Sequence, residues 1–318
     1  MTAVPSSASM AAASRASGRV PRPTDGADPL VMAIDVGAQR LSAGLVSTQG
    51  HVIVRDRVAT PRDVWPALER LVRRVVAARP SERSSTLRCG VTCEAPLDTA
   101  PGKVSPLTMP LLKGFDLRDR LAELTGLDVV LETRGNGRAL AERWQGGHDP
   151  RDAAHLIVVI ASESVDGGVI VDGQVVHGRT GNAGNLAHVI VEPEDGLECL
   201  CGSFGCLAPY LSTRSLEIEI NRPLRRAQPS IIERTGVMLG RAIATAVASF
   251  DTRLVLIGGA TPAALGPPLL DVTRRELAQR SRLSHLSELR VEPVALGLEG
   301  TLLGAAASAL GHPRTVSR

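Results

Sequence analysis

Cys199-Leu200-Cys201-Gly202-Ser203-Phe204-Gly205-Cys206, with His188 a short loop upstream, is the stretch from which the rest of the chain can be read. Three thiolates and one imidazole form a donor set suited to structural zinc: four ligands, tetrahedral, with no position left open for catalysis. Gly202 and Gly205 carry no Cβ, so the backbone between the sulfurs can turn tightly enough to aim them at one point. The plainer reading, three buried unpaired thiols, has free cysteine acting as a small hydrophobe. Clustering weighs against it, since three of only five cysteines fall within eight residues. His188, Cys199, Cys201 and Cys206 are therefore expected to hold a structural zinc ion.

At 318 residues the chain is long enough for two lobes, each with its own core. An apolar content of 43%, a charged content of 22% and a net charge of only +3 exclude a disordered, fibrous or membrane-embedded class. No apolar run approaches the length of a membrane span. Lys103 and Lys113 are the only lysines, so nearly all the positive charge is arginine, the better group for phosphate and nucleic acid. The 33 acidic residues are interspersed with it and no basic block stands out, which predicts a solvated mixed-charge surface. Few cysteines, most of them in a metal pattern, fit a reducing cytoplasm rather than a disulfide scaffold. Residues 1–28 are rich in Ala, Ser, Pro and Arg and lack the apolar core of a secretory signal, so a disordered tail is expected there.

Val31–Asp35 reads as a buried strand ending in a turn, and 41–46 and 52–58 alternate as an antiparallel meander would. Trp65, Leu68, Leu71, Val72 and Val75 fall at helical spacing. A strand over 87–91, a helix over 117–124, a strand over 129–132 and a helix over 137–144 follow. The second half repeats the theme, with strands over 156–161 and 168–171, the cysteine loop, a helix over 231–250, a strand over 254–257 and a last helix over 301–310.

Gly184-Asn185-Leu186-Ala187-His188, followed after a spacer by Cys199 to Leu207, resembles the signature of the ROK family (repressors, open reading frames, sugar kinases). Weaker matches lie in the expected order along the chain: Asp35-Val36-Gly37, Gly90-Val91, Ala95-Pro96-Leu97-Asp98, Asp172-Gly173, Gly178, Ala183-Gly184, Ile257-Gly258-Gly259 and Leu303-Gly304-Ala305-Ala306. The resemblance implies an α/β fold of the actin/hexokinase-like (ribonuclease H-like) type, with two lobes closing on a cleft. The lobes would be 29–132, with 300–318 packing back on it, and 133–299, carrying the zinc loop 188–206. The stretch 216–229 is short, so part of the second lobe's helical cover is expected to be trimmed. In such a fold Asp35, Gly37, Gly258 and Gly259 belong to the ATP side, and Thr133, Arg134, Asn185 and His188 to the sugar side. The resemblance also implies a homodimer. The family's repressors carry a helix-turn-helix domain ahead of this body, for which 28 residues leave no room, so direct DNA binding is not expected.

The same resemblance exposes what is missing. Phosphoryl transfer to a hydroxyl needs a base, a phosphate cradle and contacts that orient the acceptor. ROK kinases draw the base from an aspartate in Glu-Asn-Asp-Ala-Asn-Ala, which reads Glu132-Thr133-Arg134-Gly135-Asn136-Gly137 in this chain. The register is anchored by Glu132 before and Ala139-Leu140-Ala141-Glu142 after, so Arg134 stands at the base position. A guanidinium cannot accept a proton at biological pH. The first phosphate loop, Asp-Ile-Gly-Gly-Thr-Lys in the family, becomes Asp35-Val36-Gly37-Ala38-Gln39-Arg40; Asp35, the usual magnesium-organising carboxylate, survives. The second, Gly-Thr-Gly-Ile-Gly, becomes Ser162-Glu163-Ser164-Val165-Asp166, replacing bare amides with side chains and two carboxylates that repel a nucleotide. Of the family's sugar contacts only His188 remains, with Asn185 and Ala208 where glutamates are expected.

Replacement bases at Asp116, Glu163 or Asp166 are conceivable, although loop carboxylates are usually solvated. Arg134 has two readings: an internal ion pair with Glu132, Glu163 or Asp166, or a bidentate site for an anion such as a sugar phosphate. The expected function is a non-catalytic, sugar-kinase-like protein that binds a small molecule, a sugar or sugar phosphate, or a protein partner. The alternatives are an ATP-dependent kinase of an unusual sugar or cyclitol, which alone would need Mg-ATP, and a transcriptional co-regulator working with a separate DNA-binding protein.

Overall fold

The computed structural model describes residues 29–80 and 85–311; the expected tail at 1–28 lies outside them. Two five-stranded mixed sheets form the frame. The first joins β1 (Leu30–Val36), β2 (Arg40–Ser47), β3 (Val52–Ala59), β4 (Thr86–Cys93) and, beyond the short hairpin β5 (Leu97–Asp98) and β6 (Lys103–Val104), β7 (Val129–Thr133). Its spatial order is β3-β2-β1-β4-β7. The second joins β8 (Leu156–Ala161), β9 (Val165–Val171), β10 (Gln174–Val175), β11 (Leu254–Gly258) and β12 (Arg290–Pro293) in the order β10-β9-β8-β11-β12. In each sheet the first three strands form an antiparallel meander and the last two run parallel to the first. One topology is therefore used twice, as the repeated sequence pattern requires.

The helices are α1 (Val64–Ala77), α2 (Leu117–Thr125), α3 (Arg134–Gln145), α4 (Pro150–Ala153), α5 (Leu207–Leu211), α6 (Thr213–Ile220), α7 (Pro229–Phe250), α8 (Ala260–Leu265), α9 (Pro267–Arg280) and α10 (Gly300–Ala309). α1 buries Val64, Leu68, Leu71, Val72 and Val75 on the first sheet, and its exposed face is arginine-rich. α7 packs along α9, a helix that periodicity did not disclose, because its Pro-Pro start and scattered arginines blur the apolar stripe. The segment 216–229 carries α6 and a 3₁₀ turn; Leu216 and Leu224 pack with Leu265 and Leu269 in a small satellite core. α10 lies against β1, β4 and α3. Among the described residues no helix is long and apolar enough to cross a membrane.

Two starts fall three residues earlier than expected. α3 begins at Arg134, three residues before the predicted position, because the Thr133 side chain caps it by accepting from the Asn136 amide at 3.2 Å. Gly135 reads as a breaker in sequence, but its role is close approach: a Cβ there would lie 1.9 Å from the Gly167 carbonyl oxygen. β9 likewise begins at Val165 and takes Asp166 into the sheet. These shifts bring the end of β7, the start of α3 and β9 together at the cleft.

Candidate functional site

Four charged side chains meet where the sheets face one another. Asp35 is the last residue but one of β1, Glu94 follows β4, Asp166 points from β9, and Arg134 is the first residue of α3. The Arg134 Nε donates to Asp35 Oδ1 at 3.0 Å, while Nη1 reaches Asp166 Oδ2 at 3.1 Å and Glu94 Oε1 at 3.5 Å. The three carboxylate side chains are only 5%, 3% and 7% exposed in the order Asp35, Glu94, Asp166, so the pairing is shielded from water and salt. Burial alone would lower the guanidinium pKa, but the charges of Asp35, Asp166 and Glu94 outweigh it and hold the value above that of ordinary arginine. Burial pushes Asp166 up to about 7; Arg134 opposes the rise and Glu94 and Asp35 add to it.

These contacts match the ion-pair reading of Arg134 in kind. Its internal partners are Asp35, Glu94 and Asp166. Of the three expected partners only Asp166 pairs with it. Glu132 instead accepts from Asn136 Nδ2 at 3.0 Å and bonds His177 Nε2 at 2.7 Å, and Glu163 takes Gln39 Nε2 at 2.8 Å. A guanidinium already surrounded by three carboxylates is a poor anion site.

Two backbone amides of the phosphate loops are also engaged. The Ala38 amide of the first loop donates to Glu94 Oε1 at 2.9 Å, and the Ala260 amide after Gly258-Gly259 donates to Ser162 Oγ at 3.1 Å. The Arg134 guanidinium lies over Gly37, whose Cβ, were there one, would sit 3.1 Å from Cζ. Asp35 is further engaged by the Thr92 hydroxyl at 2.9 Å.

Two cavities flank the cluster. Asp35, Gly37 and Arg134 line the smaller, about 320 Å³. Asn185 and His188 line the larger, about 500 Å³, with Asp166 and Glu94. Thr133 lines neither, since its hydroxyl is spent on the helix cap. Gly258 and Gly259 line neither as well; Gly259, at φ +107°, lets the turn pass the backbone of Ala161. Of the candidate bases, Asp166 is bound to Arg134 and Glu163 to Gln39, while exposed Asp116 pairs with Lys103 at 3.2 Å. Glu94 was missed in sequence. Its only signal is a carboxylate placed between the apolar strand end Val91-Thr92-Cys93 and Ala95-Pro96. His177 gave no signal, because its partner Glu132 is remote in sequence.

The cysteine loop brings its four donors together. The ligand atoms of His188, Cys199, Cys201 and Cys206 all lie within 4.8 Å of one another. Cys201 Sγ and Cys206 Sγ are 3.8 Å apart, and Cys199 Sγ is 3.6 Å from His188 Nδ1. A tetrahedral ion bonded at about 2.3 Å to sulfur and about 2.0 Å to nitrogen has edges of roughly 3.5 to 3.8 Å, so the donor set fits a metal. Gly202 and Gly205, at φ +87° and +75°, make the turns between the sulfurs.

A two-lobed α/β fold with duplicated mixed sheets, a charged cleft and a His-Cys₃ loop beside it defines the sugar-kinase-like class. A profile of the ROK family matches residues 31–311, and the chain belongs to that family. It is 27% identical over 195 residues to a glucokinase of Halalkalibacterium halodurans, an alignment covering 59% of this chain and 58% of that one. It is 26% identical over 313 residues to a glucokinase of Thermotoga maritima, covering 87% of this chain and 96% of the relative. The structure of a ROK hexokinase from Thermus thermophilus superposes with a TM-score of 0.71 at 27% identity, covering 88% of this chain and 98% of the other.

Proposed function

We propose that this chain is a non-catalytic ROK protein whose cleft binds a small ligand or signals to a protein partner. One observation carries the reading: Arg134 stands at the base position and is locked to Asp35, Glu94 and Asp166. A base must accept a proton, and this group holds its own more tightly than usual. The engaged Ala38 and Ala260 amides support the same conclusion for the nucleotide, since a phosphate would have to displace Glu94 and Ser162. In the further reading the His188, Cys199, Cys201 and Cys206 cluster holds structural zinc beside the larger cavity, and the protein is a cytoplasmic homodimer.

Titration calorimetry of the zinc-loaded protein with Mg-ATP tests this without any guess at a sugar. The expected result is no heat and no melting shift at several millimolar. Binding in the micromolar to millimolar range would return the protein to the ATP-dependent kinases. The co-regulator alternative predicts DNA affinity falling steeply with salt only when a second protein is present.

A further inference from the structure

The larger cavity is unbalanced in charge and apolar at its mouth. Glu94, Glu163, Asp166 and Glu198 line it, against one arginine, Arg214. Leu107, Leu200 and Ile218 also line it and are 37%, 63% and 70% exposed, so apolar surface stands open above an acidic floor. Its volume of about 500 Å³ falls in the range of small-ligand sites.

The charged cluster beneath the floor, to which Glu94 and Asp166 of this cavity belong, is short of positive charge. One guanidinium serves three carboxylates, leaving two negative charges uncompensated, or one when Asp166 keeps a proton. Asp166 is more than nine-tenths buried and lines the cavity; its Oδ2 takes Arg134 and Ser164, while Oδ1 accepts no hydrogen bond from a described residue. Asp166 Oδ1 is not among the fully buried unpaired atoms, and a carboxylate oxygen with no protein donor beside a cavity is open to a donor from a ligand.

We propose that the larger cavity takes a small organic cation, a protonated amine on a compact body, with the ammonium group at Asp166 and the body against Leu107, Leu200 and Ile218. This rests on the reading of the cleft as a non-catalytic binding site and names its ligand class. A sugar phosphate would bring an anion to a floor that already repels one. Amine binding also expels the proton that Asp166 retains near neutrality. The charged and titratable groups facing Asp166 are Arg134, Glu94 and Asp35, together with the buried Cys93 thiol.

The test uses three ring compounds of nearly equal size: cyclohexylamine, cyclohexanol and cyclohexanecarboxylate, titrated into the zinc-loaded full chain at pH 7. A charge-assisted hydrogen bond gives the amine an affinity about tenfold above the alcohol, with the carboxylate weakest. In Asp166→Asn the gap between amine and alcohol closes while the alcohol binds as before. Should that variant not fold, the wild type is titrated in two buffers of different ionisation enthalpy, where amine binding releases a fraction of a proton and alcohol binding none. Carboxylate binding as tight as the amine, or no binding of any probe at about 10 mM, roughly ten times the upper end (about 1 mM) of typical KM values, overturns the ligand class. Mg-ATP binding with the amine preference intact overturns the non-catalytic reading alone, so the two failures are distinguishable.

Discussion

Removing the Arg134 side chain would strand three carboxylates, each more than nine-tenths buried. Breaking a buried charge network by deleting one partner destabilises by about 3–5 kcal/mol, so Arg134→Ala should lower the urea-unfolding free energy by that order. Arg134→Lys should recover part of it, keeping the charge but losing the fork that reaches all three partners. Arg134→Asp should produce no sugar phosphorylation, because the Ala38 and Ala260 amides stay engaged; phosphorylation by that variant would show that the base alone was missing. pH gives an independent readout. Asp166, raised from an ordinary 3.8 to about 7, holds a proton in the folded chain that the unfolded chain has lost. Stability should therefore fall as pH climbs between those values, with a slope of at most one proton, about 1.4 kcal/mol per pH unit. His177 acts in the same direction: its hydrogen bond to Glu132 raises its pKa above 6.5, giving stability that is full below 6.5 and lost as pH passes the folded value. Half-exposed His177 contributes the smaller share. Unfolding curves from pH 4 to 8 check this, and Asp166→Asn should flatten them. Arg134 and Asp166 could be singled out in the sequence because each occupies a position with a known chemical task. Glu94 could not, since its importance comes from β4 delivering it to a guanidinium 40 residues away.

At the level of elements, the cysteine loop was the most legible feature, because three thiols and an imidazole within one short segment need no tertiary information to be recognised. The starts of α3 and β9 were the least legible. Both are glycine-bearing segments whose Gly135 and Gly167 backbones touch, and composition alone cannot tell a glycine kept for contact from one that breaks a helix. α9 was lost for a related reason: it buries Leu269, Val272, Thr273, Glu276 and Leu277, a stripe too polar to register as periodic. The loop carries its own prediction. Cys199 and Cys206 are buried, and Leu207 and Tyr210 of the next helix belong to the second sheet's core, so the cluster is tied to that core. Metal binding at such a site contributes directly to folding free energy. A strong chelator should therefore lower the melting temperature, and Cys206→Ser should reproduce the loss without chelator. An unchanged melting temperature with chelator would remove the zinc assignment.

Across the whole molecule, the doubled sheet topology places two lobes around a cleft, and side chains now bridge it. Arg134, which opens α3 at the start of the second lobe, reaches Asp35 on the first sheet at 3.0 Å, and Gln39 of the first loop meets Glu163 of the second at 2.8 Å. In two-lobed enzymes closure is driven by ligand contacts that exist only in the closed state. In the non-catalytic reading proposed above, internal contacts substitute for them, which leaves nucleotide and sugar little differential affinity to supply. Small-angle scattering should give the same radius of gyration for the protein alone and with Mg-ATP plus glucose. The exposed Gln39–Glu163 bridge is worth little by itself, on the scale of about 0–1 kcal/mol for surface contacts, whereas the buried Arg134–Asp35 pair ties the lobes together. Gln39→Ala alone should leave the radius unchanged, and Gln39→Ala combined with Asp35→Asn should increase it. Compaction of the wild type on adding Mg-ATP and glucose would mean that the cleft still opens and closes as an enzyme's does, and that the Arg134 cluster is not its latch.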